Sequence, residues 1–237
     1  LFLFGLMKLL RRLFTPWQIA VVLFTYTIYT FFYSYASMAL RQGLAISFIL
    51  WAMSTFTDHG KINIKTLFIL VSAMLFHWSS IPFALILIMI NKFQIKLRTI
   101  IAIWCSLALA FLFNIQSYIL SPLLNFIPKI DTYTSMEVIS NYRGINRLDF
   151  LLFSFFWIVV SLLAYHFLCN TDQYLKLIKY YITFNSVFLL LGFVAYSDRV
   201  AGYSWFLLPI LIWYPLFHSK KKVWYLAGIT LIIILII

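Results

Sequence analysis

The chain has 237 residues, of which 64% are hydrophobic, 20% aromatic and only 10% charged, and its mean hydropathy is +0.98. Soluble domains average about 45–50% apolar and about 25% charged residues, and no soluble core of this length could enclose so much apolar surface. The net charge of +12 comes without any nucleic-acid-binding motif, and the basic residues cluster in short connections, as the positive-inside rule predicts for a membrane protein.

Apolar stretches of the length that crosses a bilayer as a helix recur along the chain. They predict an all-α, polytopic membrane helix bundle that forms one domain over residues 1–237, with about seven to nine transmembrane segments. The predicted spans are residues 16–35, 37–57, 64–90, 99–120, 148–169, 178–196, 200–217 and 223–237. Because residue 1 is a leucine inside an apolar stretch, we expect further helices upstream of it.

The third predicted span, residues 64–90, would form a helix of about 40 Å, whereas the hydrocarbon core is about 30 Å thick. Its middle reads "FHWSSIPF". Proline favours the first turn of a helix and disfavours helical geometry in the residue before it. The pattern therefore predicts one half-helix that ends near His77 and another that begins near Pro82. If the two halves form a re-entrant hairpin, only five of the 18 basic residues lie outside, which fits the positive-inside rule better than one straight span.

The five basic residues on the predicted outer face are Arg41, Lys129, Arg143, Arg147 and Arg199. Lysine suffices as an orientation charge, whereas the planar guanidinium forks onto phosphate oxygens in two-point contacts. The arginines therefore indicate a phosphate or diphosphate site at the outer surface. The alternatives are snorkelling for Arg41, an ion pair with Asp198 for Arg199, and ordinary solvated charges for the two arginines of the polar outer loop, residues 121–147.

His77, at the tip of the predicted hairpin, is the best candidate for a general base, because a neutral imidazole titrates near pH 7. Its alternative is a hydrogen-bonded packing residue. The acids on the outer face, among them Glu137 and Asp198, are too few and too scattered to predict a metal site. We therefore expect neither a metal nor a cofactor. Tyr142, in the outer loop, could stack on a sugar ring.

Three motifs follow one another in a distinctive order: "ALRQGLAISF" at residues 39–48, "LVSAMLFHWSSIPFALIL" at residues 70–87 and "SDRVAGYSWFLLPIL" at residues 197–211. In this order they resemble the Wzy/EpsG group of bacterial polysaccharide polymerases, which extend O-antigen, capsule or exopolysaccharide chains. The resemblance covers roughly residues 26–217. It marks as site residues Arg41, Gln42, Gly43, His77, Ser79 and Arg199.

The resemblance implies glycosyl transfer at the outer face of the bacterial inner membrane, between a donor and an acceptor that are both linked to undecaprenyl diphosphate. Membrane lipids and a chain-length regulator are the implied partners, and nucleic acid is not one. Arg41 and Arg199 would stabilise the departing diphosphate, and His77 would be the base. Glu137 and Asp198 are the next candidates for the base.

The remaining candidates would contact the substrate. These are Gln42, Gly43, Ser79, Arg143, Arg147 and Asp198. Arg143 and Glu137 are inferred from their chemistry alone, because the outer loop matches the family's only in placement. The alternatives are a flippase or transporter of a lipid-linked sugar, and another glycan-modifying membrane enzyme such as a ligase or an O-acetyltransferase. The sequence contains no internal repeat of the kind that transporters show, which favours an enzyme.

Overall fold

The structure, a computed structural model, describes residues 2–35, 39–59, 62–124, 134–142 and 144–219, together with 228 and 230. Within these ranges the chain is helical and contains no strand. The helices are α1 (Phe2–Leu13), α2 (Pro16–Ile28), α3 (Thr30–Tyr33), α4 (Leu40–His59), α5 (Ile64–Phe76), a 3₁₀ helix (Trp78–Ser80), α6 (Ile81–Phe93), α7 (Leu97–Leu112), α8 (Ile115–Leu124), α9 (Met136–Asn141), α10 (Leu148–Phe167), α11 (Asp172–Leu190), α12 (Ser197–Trp205) and α13 (Leu208–His218).

The prediction of an all-α bundle is confirmed, whereas the count of seven to nine spans is not. Among the described residues, two segments are long and apolar enough to cross a membrane, namely Leu148–Phe167 and Ser197–His218. A third qualifies if Leu97–Leu112 and Ile115–Pro122 are counted together, although they meet at an angle of 92°. The last predicted span, residues 223–237, lies outside the described residues apart from 228 and 230.

Breaks inside three of the apolar stretches account for part of the difference, because a hydropathy pattern does not detect them, whereas α4 and α11 are unbroken and still do not qualify. The first predicted span is divided at Tyr29, which is extended (φ −84°, ψ 114°) between α2 and α3. The fourth is divided at Asn114, whose φ of 56° is left-handed. Asparagine adopts that region more readily than most residues, and the chain turns sharply there from α7 into α8.

The predicted break in the third apolar stretch is confirmed. Helix α5 ends at Phe76, and His77 is extended, with φ −156° and ψ 120°. The 3₁₀ helix follows, and α6 begins with Pro82 in its first turn, where the missing N–H leaves no hydrogen bond unmade. The re-entrant hairpin remains a prediction.

Helix α11 lies at the centre of the bundle and packs against α6, α7, α10, α12 and α13. A buried polar network surrounds Asn185 on this helix. Its amide oxygen accepts from Trp104 Nε1 at 2.8 Å, and its amide nitrogen donates to the hydroxyls of Ser154 at 2.8 Å and Ser204 at 3.3 Å. Trp205 Nε1 also donates to Ser154 Oγ, at 3.0 Å. Since unpaired polar groups are costly in an apolar core, this network fixes how α7, α10, α11 and α12 pack together.

Tyrosines of α2 and its C-cap bind the junction between α12 and α13. Pro209 has no N–H and therefore cannot bond the carbonyl of Trp205, four residues earlier. The hydroxyl of Tyr29 donates to that carbonyl at 3.3 Å, and the hydroxyl of Tyr26 donates to the carbonyl of Phe206 at 2.5 Å. Side chains from the first predicted span therefore supply hydrogen-bond donors to the two backbone carbonyls of this junction.

Helices α1, α4 and α5 pack in succession, and the contact between the first two is close. The backbone N–H of Gly5 donates to Ser47 Oγ at 3.0 Å. A Cβ at residue 5 would lie 1.7 Å from the carbonyl oxygen of Ser47, so only glycine fits there. This packing positions α4, whose first turn carries Arg41.

Candidate active site

The first turns of α4 and α12 are joined by hydrogen bonds to two adjacent carbonyls. Gln42 is 3% exposed, and its Nε2 donates to the carbonyl of Arg199 at 2.5 Å. The hydroxyl of Tyr35 donates to the same carbonyl at 3.0 Å and contacts the carbonyl of Asp198 at 3.3 Å. A Cβ at Gly202 would lie 1.7 Å from the Tyr35 hydroxyl, so the glycine makes room for that contact. These bonds hold Arg41 and Arg199 at the same end of the bundle.

The side chains of both arginines are exposed, which leaves their guanidinium groups available to a ligand. The guanidinium of Arg199 lies over the ring of Tyr196, with 4.5 Å between its central carbon and the ring centroid. A cation over an aromatic face is attracted by the ring quadrupole, so this contact orients the side chain. Tyr196 itself is left-handed (φ 62°), which turns the chain directly into α12.

His77 lies in the extended break between α5 and the 3₁₀ helix, outside both helices, and is half-buried. Its Nδ1 is 2.6 Å from Ser79 Oγ and accepts the backbone N–H of Ser79 at 3.3 Å. Because Nδ1 accepts that N–H, the neutral ring carries its proton on Nε2. Ser79 Oγ is in turn 3.2 Å from the hydroxyl of Tyr203, whose ring stacks on Phe83 with 3.9 Å between centroids.

The imidazole of His77 lies within electrostatic range of two arginines that are distant from it in sequence. Burial, then the charge of Arg199 and then that of Arg41 lower the pKa of His77 below its ordinary value of 6.5. The ring is therefore neutral at neutral pH, which is the state a general base requires. The fold therefore places Arg41 and Arg199 within electrostatic range of His77, and their roles as site residues remain predictions.

The end of α9 binds the first turn of α12. The hydroxyl of Tyr142 donates to the carboxylate of Asp198, and the backbone N–H of Asp198 contacts that hydroxyl at 3.2 Å. Burial and the neighbouring Asp198 raise the pKa of Tyr142 well above its ordinary value, so the phenol stays protonated and remains a donor. The polar segment of residues 121–147 therefore contacts, through Tyr142, the same turn of α12 that carries Arg199.

Arg147 precedes α10 and forms an ion pair with Asp149. Its guanidinium also lies 4.0 Å from the ring centroid of Phe150 and 5.8 Å from that of Tyr142. It is thus close to the Asp198 contact but already bound to a carboxylate. A ligand phosphate would have to share it with Asp149.

The other predicted site residues have different surroundings. Gly43 is buried in α4, and Glu137 is exposed in the first turn of α9, where none of its described contacts joins it to His77. Arg143 lies outside the described residues. Within the described ranges, no three His, Cys, Asp or Glu side chains come together as a metal-binding group.

Three tyrosines belong to the site in ways that the sequence did not indicate. Tyr35 and Tyr203 are buried members of its hydrogen-bond network, and Tyr142 binds a carboxylate where the sequence suggested sugar stacking. With 15 tyrosines in the chain, no single one stands out by composition. Tyr203 falls inside the third motif, which is the one signal that pointed to it.

Comparison with known proteins identifies the family of the chain. Neither the curated proteins nor the solved structures include one that matches this chain. The sequence model of the EpsG family matches residues 1–237, the whole chain. The match agrees with the motif order and with the helical, apolar fold. The chain therefore belongs to the EpsG family, membrane-associated proteins of polysaccharide biosynthesis.

Proposed function

We propose that the chain polymerises oligosaccharide repeat units linked to undecaprenyl diphosphate, by glycosyl transfer at the outer face of the bacterial inner membrane. The observation that carries the proposal is the meeting of Arg41, His77 and Arg199 at one end of the bundle. Two exposed guanidinium groups within electrostatic range of a neutral imidazole match what the reaction needs, namely positive charge for a departing diphosphate and a base for the attacking hydroxyl.

The arginines act on the leaving group. As the bond between the anomeric carbon and the diphosphate breaks, its electron pair and a negative charge collect on the diphosphate oxygen. Guanidinium groups already in place stabilise that charge without having to reorganise during the reaction. Arg199 is held by Tyr196 and by the bonds to its own carbonyl, and Arg41 by the α4 turn that contains Gln42.

The imidazole acts through Ser79. Its Nδ1 faces the hydroxyl of Ser79, so the acceptor sugar passes its proton to Ser79 Oγ while Ser79 passes its own proton to Nδ1. The freed acceptor oxygen forms the new bond to the anomeric carbon. The Tyr203 hydroxyl, 3.2 Å from Ser79 Oγ, keeps the serine in position. Asp198, bound to Tyr142, anchors the outer loop beside this site.

The test compares His77→Ala and Ser79→Ala with the control Ser72→Ala, whose hydroxyl bonds only within α5, to the carbonyl of Phe68. Each variant is expressed in cells that lack their own copy, and polysaccharide length is read on gels at matched protein level. General acid–base catalysis contributes roughly 10²–10⁴-fold, so both site variants are expected to lose long chains while single repeat units remain. Polysaccharide chains of normal length in His77→Ala would show that His77 is not the base. Normal chains in Ser79→Ala alone would overturn the relay.

A further inference from the structure

A basic cavity lies at the opposite end of the bundle from the candidate active site. Its volume is about 550 Å³. Helices α7, α10 and α11 form it, together with the residue before α7. The lining residues are Lys96, Leu97, Arg98, Tyr165, Leu175 and Lys179. The three cations thus come from the start of α7 and from α11, with an aromatic ring of α10 beside them.

The direction of the helices places this cavity on the other membrane face. Tyr165 is near the end of α10, whereas Arg147 precedes its start, and a helix of 20 residues is about 30 Å long. Helices α7 and α11 run in the same direction, since Trp104 bonds Asn185 while both Leu97 and Lys179 lie about two turns earlier. If the candidate active site faces outward, the cavity faces the cytoplasm.

The charge of the cavity is not neutralised by the described part of the protein. No acid lines it, and none of its cations forms an ion pair with a described residue. The neighbouring Lys176 donates to the carbonyl of Phe56 at 3.1 Å, and Asp172 lies two turns away along α11. Lys179 is half-buried, and a partly desolvated cation without a counter-ion is costly. The cavity therefore favours an anionic ligand.

An apolar stripe continues from the cavity along α7. Arg98, Ala102, Cys105 and Leu109 recur at helical spacing, so they share one face, and all four are exposed. Leu97 and Leu175 also make the cavity wall partly apolar. A ligand that suits both features has a negatively charged head and a hydrocarbon tail.

We propose that this cavity binds the phosphodiester headgroup of an anionic phospholipid in the cytoplasmic leaflet, with an acyl chain along the exposed stripe of α7. Basic pockets between helices at the cytoplasmic side are suited to such headgroups. The guanidinium of Arg98 forks onto the phosphate, Lys96 and Lys179 add point charges, and Tyr165 sits at the level where amphipathic rings prefer to lie. The assignment to the cytoplasmic leaflet rests on the outward-facing active site of the proposed function, whereas lipid binding in the cavity does not depend on the polymerase reaction.

The test titrates delipidated protein in neutral detergent with phosphatidylglycerol or phosphatidylcholine and counts bound lipids by native mass spectrometry. The test variant is Arg98→Gln/Lys179→Gln. The charge-matched control is Lys65→Gln/Lys92→Gln, at positions outside the cavity lining. Phosphatidylglycerol affinity is expected to fall roughly tenfold or more in the test variant, since each basic residue near an anionic surface contributes measurably. It is expected to stay unchanged in the control, and phosphatidylcholine should bind weakly to all three proteins.

Three results would overturn the proposal. The first is equal phosphatidylglycerol affinity in the test variant and the unaltered protein, and the second is an equal loss in the control pair. The third is displacement of the lipid by 10 mM inorganic phosphate, as a free phosphate ligand would require. If the double variant is unstable in detergent, the single variant Arg98→Gln replaces it, with Lys92→Gln as its control. Both positions are exposed.

Discussion

The side-chain amide of Gln42 donates to the backbone carbonyl of Arg199 across 2.5 Å. The residue that follows one exposed arginine therefore fixes the backbone of the other. Tyr35 binds the same carbonyl from a third segment, at 3.0 Å. These hydrogen bonds consequently fix the relative position of the two backbone segments that carry the guanidinium groups.

Gln42→Leu is expected to lower the free energy of unfolding by about 1 kcal/mol and to shorten the polysaccharide, because the Arg199 carbonyl loses a buried donor. Tyr35→Phe removes the other donor to that carbonyl, so the two changes should not be additive. Thermal unfolding in detergent and chain length on gels measure the two effects. Gln18→Leu is the control, since the Gln18 side-chain oxygen accepts the backbone N–H of Thr15 in an exposed bond at the start of α2, away from Arg199. An equal loss of chain length in that control would contradict the positioning role of Gln42.

Tyr142→Phe is expected to release the end of α9 from α12, because the phenol is the group that donates to the Asp198 carboxylate. Limited proteolysis of the purified protein in detergent should then cut faster within residues 134–142. Tyr118→Phe changes a ring that is 80% exposed and should leave the cleavage rate unaltered. Unchanged cleavage in Tyr142→Phe would show that the loop is held by other contacts.

The pH profile of polymer synthesis reports the state of His77. Burial and the two arginines lower its pKa, and a base works only when deprotonated. Activity in permeabilised cells should therefore be present above that lowered pKa and be lost as the pH falls through it. Arg41→Gln removes a positive neighbour, raises the pKa and should move the acid limb to higher pH, whatever its effect on the maximum rate. The control Arg11→Gln should leave the limb in place, and a shift to lower pH in Arg41→Gln would be inconsistent with this account.

Asn185→Leu tests the buried network at the centre of the bundle. The change leaves Trp104 Nε1 without its acceptor and removes the donor to Ser154 and Ser204. Buried hydrogen bonds in membrane proteins contribute roughly 0.6–2 kcal/mol each, so we expect a loss of about that size or more. Thermal unfolding in detergent measures it, with Ser106→Ala, an exposed serine of α7, as the control. Equal stability of the two variants would show that the network does not hold the helices together.

Much of the candidate site could be proposed from the sequence because short motifs contain its residues. The "RQG", "FHWSS" and "SDRVAGY" sequences contain Arg41, His77 and Arg199, and Pro82 indicated where the third apolar stretch breaks. The breaks at Tyr29 and Asn114 were not predictable, since hydropathy averages over residues and neither position carries a proline or a glycine. The partners of Gln42 and Asp198 were also hidden, because they come from tyrosines and backbone groups that are distant in sequence.

Replacing Arg41 with lysine tests the central claim most directly, because it keeps the charge and removes the two-point contact with phosphate. In cells that rely on the Arg41→Lys protein, gel electrophoresis of the surface polysaccharide should show single repeat units without long chains. Arg11→Lys, at an exposed position of α1, should leave the chains at full length. Long chains of normal length in Arg41→Lys, with the protein at its normal level in the membrane, would contradict the account.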